Sequence, residues 1–231
     1  TTEAEILETV AEALTRGWRG LKLYFMLGLP TETAEDIEAI VQLVDKLGVL
    51  GRNTTGRRPQ LRISLSTFVP KPHTPFQWVA QESEATLNQK HELLKTGLRR
   101  KEVRLSWNDP RVSQLEAVLS RGDRRLGPVI QRAWELGSVF DGWSEHFQYQ
   151  NWLKAFTESG LEPDFYARRE RSLDETLPWA HIDIGLTPAF LRREYQKALK
   201  GNTTPDCRDE KCSNCGLQRW QLVCKEKAAQ G

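Results

Sequence analysis

The stretch Leu21-Lys-Leu-Tyr-Phe-Met-Leu-Gly-Leu-Pro-Thr-Glu-Thr33, followed by Ala34-Glu-Asp-Ile-Glu-Ala-Ile-Val41, decides the fold. Its first part is a short apolar run of aromatic and bulky residues that ends at Gly28-Leu29-Pro30, the pattern of a buried strand running into a turn. Thr33 then offers a hydroxyl cap, and Glu35 and Asp36 place negative charge at a helix start. Ile37, Ile40, Val41, Val44 and Leu47 continue at helical spacing to Gly48. A polar loop over 51–60 leads into Leu61-Arg-Ile-Ser-Leu-Ser-Thr-Phe-Val69, whose alternation predicts a second strand. Upstream, Ile6, Leu7, Val10, Ala13 and Leu14 share one helical face, and Gly17 stops that helix.

The order is therefore helix, strand, helix, strand. Two strands joined by a single helix are expected to lie parallel in one sheet, with ligands at their carboxyl ends. Both informative loops leave from that edge: Gly28-Leu-Pro-Thr-Glu-Thr33 and Val69-Pro-Lys-Pro-His-Thr-Pro-Phe-Gln-Trp78. Beyond them an amphipathic helix is expected from Glu82 to about Arg104, through Leu87, His91, Leu94 and Leu98 to a basic end at Arg99, Arg100 and Lys101. There the sheet pattern stops. Segments around Ala117–Leu119, Val129–Leu136 and Trp152–Phe156 read as short helices. Thr187-Pro188 opens a last helix through Phe190, Leu191, Tyr195 and Leu199 to Gly201.

The 231 residues suffice for one large domain or two small ones, and 39% apolar against 28% charged residues argues against wholesale disorder. With 33 Lys plus Arg against 31 Asp plus Glu the formal charge is only +2, so charge by itself assigns no partner. The longest apolar stretch, Leu21–Leu29, is interrupted by Lys22 and falls well short of a membrane span. The acidic N-terminus is unlike a secretory signal, and a start without Met reads as the middle of a longer protein. A reducing cytosol is the expected compartment.

All four cysteines, Cys207, Cys212, Cys215 and Cys224, lie in the last 25 residues, which points to one local site rather than to a disulfide scaffold. Cys212 and Cys215 are spaced to reach one metal, Cys207 adds a third thiolate, and Cys224 can complete the set. The guest is either zinc or an iron–sulfur cluster, since both use four thiolates. The three prolines at 70, 72 and 75 make a stiff rim on which Lys71 or His73 can meet a carboxylate or phosphate and Phe76 or Trp78 can cover a ring. A rigid loop that merely packs its aromatics is an equal reading. Thr33 capping its own helix explains most of the Gly-Leu-Pro-Thr-Glu-Thr loop, whereas Glu32 is free to bond an amine or ribose. The arginines from Arg99 to Arg132 are interspersed with acids and read as a solvated face, with RNA contact as the sharper alternative. Trp179-Ala-His181-Ile-Asp183 can present an imidazole and a carboxylate, although a packed histidine is the default.

Taken together, Leu-Lys-Leu-Tyr-Phe-Met-Leu-Gly-Leu-Pro-Thr-Glu-Thr-Ala-Glu-Asp resembles the fifth-strand motif of radical S-adenosylmethionine (SAM) enzymes. Phe-Val-Pro-Lys-Pro-His-Thr-Pro-Phe-Gln-Trp is similar to the strand that follows it in the same barrel. The tail Thr204-Pro-Asp-Cys-Arg with Cys212-x-x-Cys215-Gly, preceded by Leu177-Pro-Trp-Ala-His-Ile-Asp-Ile-Gly185, resembles a branch of that family with a cobalamin-binding domain ahead of the barrel. The resemblance implies an α/β fold in which residues 1–80 are the last two parallel strands of a partial (β/α)6 barrel. A helical extension over 81–201 and a Cys-rich tail over 202–231 would follow. It implies SAM and a 4Fe-4S cluster as cofactors of the intact enzyme, with cobalamin as a further one, a ferredoxin or flavodoxin reductant, and a small-molecule or RNA substrate. The SAM-cluster triplet Cys-x3-Cys-x2-Cys is absent here, so an N-terminal part of the same protein would have to supply it. By motif position Gly28, Pro30, Glu32, Val69, Pro70, Lys71 and Thr74 would line the SAM pocket, and the tail cysteines would hold an auxiliary cluster or zinc. The other reading is a zinc-stabilised RNA-binding module without catalysis.

Overall fold

Alternating side chains build the sheet that the apolar stretches predict. In the computed structural model, which describes residues 2–209 and 211–220, β1 (Gly20–Leu27) and β2 (Gln60–Thr67) pair in parallel. They run from Gly20↔Gln60 to Leu27↔Thr67 without a slip. Helix α1 (Glu3–Thr15) precedes β1, and α2 (Ala34–Thr55) connects the two strands. Helix α3 (Glu84–Gly97) then leads to a third parallel strand, β3 (Val103–Trp107), which adds to the far side of β2 in the order β1-β2-β3.

These elements form one of two compact units: residues up to Phe68 with Glu82–Ser113. Leu27, Leu61, Ile63 and Leu65 on one face of the sheet share a core with Val10, Leu14, Ile37, Val44, Leu47, Leu87, Leu94 and Leu98 of the helices. Burial of each such aliphatic side chain stabilises by roughly 1.5–3 kcal/mol. The opposite face is open. Lys22, Tyr24 and Met26 of β1, Arg62 and Ser66 of β2 and Arg104 and Ser106 of β3 lie there, and Tyr24 is 71% exposed. The apolar run of β1 is thus buried on one side only.

Three further readings are corrected. The sheet does not end at residue 69, because Val103-Arg-Leu-Ser-Trp107 supplies a short alternating strand. Helix α3 stops at Gly97, so Arg99–Lys101 is no helical tail. Helix α2 passes straight through Gly48 and Gly51 to end at left-handed Gly56. Both mid-helix glycines are buried where chain must come close. A Cβ on Gly51 would stand 2.4 Å from Pro59 Cδ, which makes these glycines packing positions rather than stops.

The second unit comprises Val69–Gln81 and the residues from Gln114 onward. The boundary falls inside α4 (Pro110–Arg121). Next come α5 (Leu126–Glu135), α6 (Tyr149–Glu158), a short α7 (Pro163–Ala167) where a loop was expected, and α8 (Pro188–Ala198). Thr187 caps α8 by accepting from the Phe190 amide at 3.2 Å, as the Thr-Pro signal predicts. Leu115, Val118, Leu126, Val129, Trp152, Phe156 and Tyr166 make the core. Arg121 is fully buried; its guanidinium donates to the Ala167 and Arg169 carbonyls at 2.7 and 3.0 Å. Burial, with repulsion from Arg171 and Arg169, pulls its pKa down to about 10. Among the described residues no helix is long and apolar enough to cross a membrane.

Candidate functional site

The first unit places one sequence-predicted loop at the carboxyl end of β1. The strands part where the Phe68 amide donates to the Leu27 carbonyl at 2.8 Å. Gly28 takes a left-handed φ of 82° that favours glycine, and Pro30-Thr31 form the corner of a turn closed by the Glu32 amide on the Leu29 carbonyl at 3.1 Å. Thr31 sits at φ 69°, where a residue with a Cβ is strained. Asp36 accepts from the Thr33 amide at 2.8 Å and so fixes the start of α2.

Glu32 is committed within this loop. Both of its carboxylate oxygens accept from the Gly28 amide at 3.1 Å, and Lys90 of α3 reaches Glu32 at 2.6 Å and Glu82 at 2.7 Å. The Glu32 and Lys90 side chains are only 7% and 12% exposed. Burial works to lower the Lys90 pKa, yet the hydrogen bonds from Glu32 and Glu82 outweigh it and hold the ammonium above its ordinary value. Glu32 therefore shapes the loop instead of offering a free carboxylate. Sequence reasoning missed Lys90 and Glu82, since Lys90 is 58 residues from the glutamate it meets.

The remaining predicted pocket residues belong to the second unit. Val69 packs against the helical core, and Pro70 is fully buried. Lys71 is paired with Glu116 and reaches Ser120 at 3.1 Å, while Thr74 donates to the Lys71 carbonyl at 2.8 Å. Gln77, nearly inaccessible, accepts from the His73 amide at 3.1 Å and from the Trp179 indole at 2.6 Å. That second bond joins the proline-rich loop to the Pro-Trp-Ala-His-Ile-Asp segment, 102 residues away. Two clefts border the junction. One, of about 480 Å3, is lined by Trp78, Asp183, Thr187 and Arg192; the other, of about 810 Å3, is lined by His73, Asp123, Arg124 and His181. In the first unit a groove of about 880 Å3 lies between α2 and α3, lined by Ala34, Ile37, Val41 and Leu93 and by none of the predicted pocket residues.

The cysteine segment is tied to the same region of the second unit. Cys207 and Cys212 are half-buried and Cys215 is buried, all as free thiols. Asn214 and Gly216 are left-handed at φ 52° and 112°, a tight knuckle around Cys215. The Cys215 carbonyl accepts from the Thr187 amide at 2.8 Å, Arg193 donates to the Ser213 carbonyl, and Arg219 pairs with Asp183 at 2.7 Å. Cys224 lies outside the described residues. Among those described, no three His, Cys, Asp or Glu side chains are gathered as a metal group. The three described thiols thus do not compose a ligand set by themselves.

Much of the basic run is neutralised locally. Arg100 pairs with Asp45, Arg111 with Asp109, Arg125 with Asp123, and Arg132 with Glu135 and Glu158. Hydrogen bonds from Arg111 hold the Asp109 carboxyl below the usual range, and Arg125 does the same to Asp123.

Comparison with known proteins gives a partial point of reference. No family model matches the chain, and no solved structure matches it. It is similar to the uncharacterized protein MJ0966 of Methanocaldococcus jannaschii, at 26% identity over 159 residues. That match covers 69% of this chain and 34% of the archaeal protein, so the chain corresponds to about a third of its relative's length.

Proposed function

We propose that this chain is the C-terminal part of a radical SAM enzyme, contributing the final strands of a partial (β/α)6 barrel and a rim of the SAM pocket, and inactive alone. One observation carries the reading. The two strands that bear the family-like motifs are neighbours, parallel and in unbroken register, so both motifs leave from one edge of one sheet. The polar open face of β1–β3 is in keeping with a barrel interior, and β3 would be an addition beyond the last barrel strand.

In this reading Gly28 and Pro30 bring main chain to the adenosyl group, and Glu32, clasped by Gly28 and Lys90, keeps that main chain in shape. Lys71 and Thr74 belong to the loop that follows the second motif strand, and Val69 and Pro70 anchor that loop in its core. The SAM cluster, bound upstream, would supply the electron that splits SAM and so starts hydrogen abstraction from the substrate. The tail cysteines Cys207, Cys212, Cys215 and Cys224 would hold an auxiliary cluster or zinc. The three described thiols are not gathered, so such a site would require them to draw together around the guest.

The test uses the intact protein, purified without oxygen, reduced with dithionite and given SAM. The expected result is brown protein containing iron and sulfide that releases 5′-deoxyadenosine, while residues 1–231 alone release none. Colourless intact protein with one zinc, no 5′-deoxyadenosine and salt-sensitive RNA binding would sink the proposal and favour an RNA-binding module.

A further inference from the structure

Lys22, Arg62 and Arg104 stand side by side across the sheet of the first unit. The register aligns Lys22 with Arg62 and Arg62 with Arg104, and all three side chains are exposed on the open face. Neighbouring strands lie about 4.8 Å apart, so the three cations share one row spanning about 10 Å. Like charges set directly opposite one another destabilise a sheet. Nothing on the strands offsets them, because β1, β2 and β3 contain no acidic residue. Among the described residues none of the three cations makes an ion pair, and neither does Glu102, two residues before Arg104. Lys22 lies over the Tyr24 ring at 4.7 Å, a contact that leaves its charge in place.

Two residues further along each strand lies a second row. Tyr24 aligns with Ser64 and Ser64 with Ser106, on the same face of the sheet. The Ser106 hydroxyl makes only a long bond, at 3.4 Å to the Ile63 carbonyl, and those of Tyr24 and Ser64 make none among the described residues. A row of cations thus borders a row of hydroxyls. Guanidinium and ammonium groups give charge-assisted hydrogen bonds and hydroxyls add neutral ones, a donor set that suits the crowded oxygens of phosphate. On an open face charge has to do the holding. One phosphate reaches two neighbouring cations, whereas linked phosphates reach all three.

We infer that the open face of β1–β3 binds a small ligand carrying two or three linked phosphate groups. Lys22, Arg62 and Arg104 hold the phosphates across the strands, and the Ser64 and Ser106 hydroxyls donate to the flanking oxygens. The binding itself does not rest on the radical SAM reading. Where that reading holds, this face belongs to the barrel interior and the phosphorylated ligand is the substrate.

The probes are inorganic tripolyphosphate, pyrophosphate, orthophosphate, citrate and a short single-stranded RNA, each titrated into the full 231-residue chain while backbone amides are followed by NMR. Saturable shifts at Lys22, Arg62, Ser64 and Arg104 are expected, tightest for tripolyphosphate and about tenfold weaker for orthophosphate. Arg62→Gln removes the middle charge and should weaken tripolyphosphate about tenfold, Lys22→Gln and Arg104→Gln several-fold, on the scale of charge-assisted contacts. Arg52→Gln, which removes an exposed cation of α2, should leave binding unchanged. Because Arg62→Gln also relieves repulsion within the row, its thermal midpoint without ligand should equal or exceed the parent's, which separates lost binding from lost folding. The inference is overturned if tripolyphosphate gives no saturable shift on this face, or if Arg62→Gln binds it as tightly as Arg52→Gln does. Equal affinity for orthophosphate would overturn the linked-phosphate part, equal affinity for citrate the phosphate part, and tighter binding of RNA the small-ligand part. The intact protein should bind tripolyphosphate as well as the 231-residue chain does; loss of binding there would show that upstream chain neutralises the row and would also overturn the inference. Absence of 5′-deoxyadenosine release alongside intact tripolyphosphate binding would sink the radical SAM reading alone.

Discussion

The two units reach order by different means. In the first, aliphatic residues at strand and helix spacing meet in one continuous core, and each helix from α1 to α3 precedes a strand. In the second, the chain between helices is long and is held by polar fastenings: Arg121 on the carbonyls of Ala167 and Arg169, Arg171 on the Arg121 carbonyl, and Trp179 on Gln77. An apolar core tolerates change in proportion to the volume lost. A buried polar fastening fails at once, since its partner is then stranded away from water.

The largest effect should come from breaking the second mode. Arg121→Ala strands two carbonyls and opens a cavity, with an expected loss of roughly 3–5 kcal/mol. Hydrogen exchange read segment by segment should show α5–α7 losing protection while β1–β3 keep theirs. Equal loosening of both units would show that the contrast is not real. A smaller effect tests a buried polar fastening of the first unit, the Lys90 clasp on Glu32 and Glu82. Lys90→Met sets the Glu32 and Glu82 carboxylates against each other without their cation, at about 1–3 kcal/mol once their partial exposure is counted. The Gly28 amide should exchange faster, and adding Glu82→Gln should restore most of the loss; no recovery would mean that the ammonium does not organise the loop.

The smallest effect is one of pH. His91 of α3 is buried and stacks on Trp107 of β3 at 4.8 Å, and burial holds its pKa below the ordinary 6.5. Since the unfolded chain takes up the proton more readily, stability is complete above about pH 6.5 and declines as the pH falls through the lower, folded-state value. The urea midpoint of the first unit should follow that decline, and His91→Phe should remove this component while keeping the stack. An unchanged acid slope in the variant would assign it to other groups.

Legibility in the sequence followed the same division. β1, β2, the start of α2 at Thr33 and the start of α8 at Thr187-Pro188 could all be read from local spacing and caps, because the forces that form them act within a few residues. β3 escaped because it has only five residues, two of them Arg104 and Ser106, directly after a basic stretch that continued a helical pattern. The run of α2 beyond Gly48 escaped because a glycine's packing against Pro59 or Arg58 is invisible until the chain has folded. At the candidate sites the residue types were legible and their engagements were not. Glu32 looked available until Lys90 arrived from α3, and nothing in the letters of Pro-His-Thr announces a left-handed His73. The polar partners were the least legible, because a single hydrogen bond across 102 residues leaves no periodic trace.

The outer margin of β1 carries a practical consequence. Among the described residues β1 pairs only with β2, which leaves eight residues of main chain with hydrogen-bonding groups on one flank that no strand satisfies. Such a flank invites a copy of itself, and aggregation of the isolated chain at high concentration would begin there. The positive charges of Lys22, Arg62 and Arg104 across the adjoining open face oppose that association, so solubility should fall as added salt screens them.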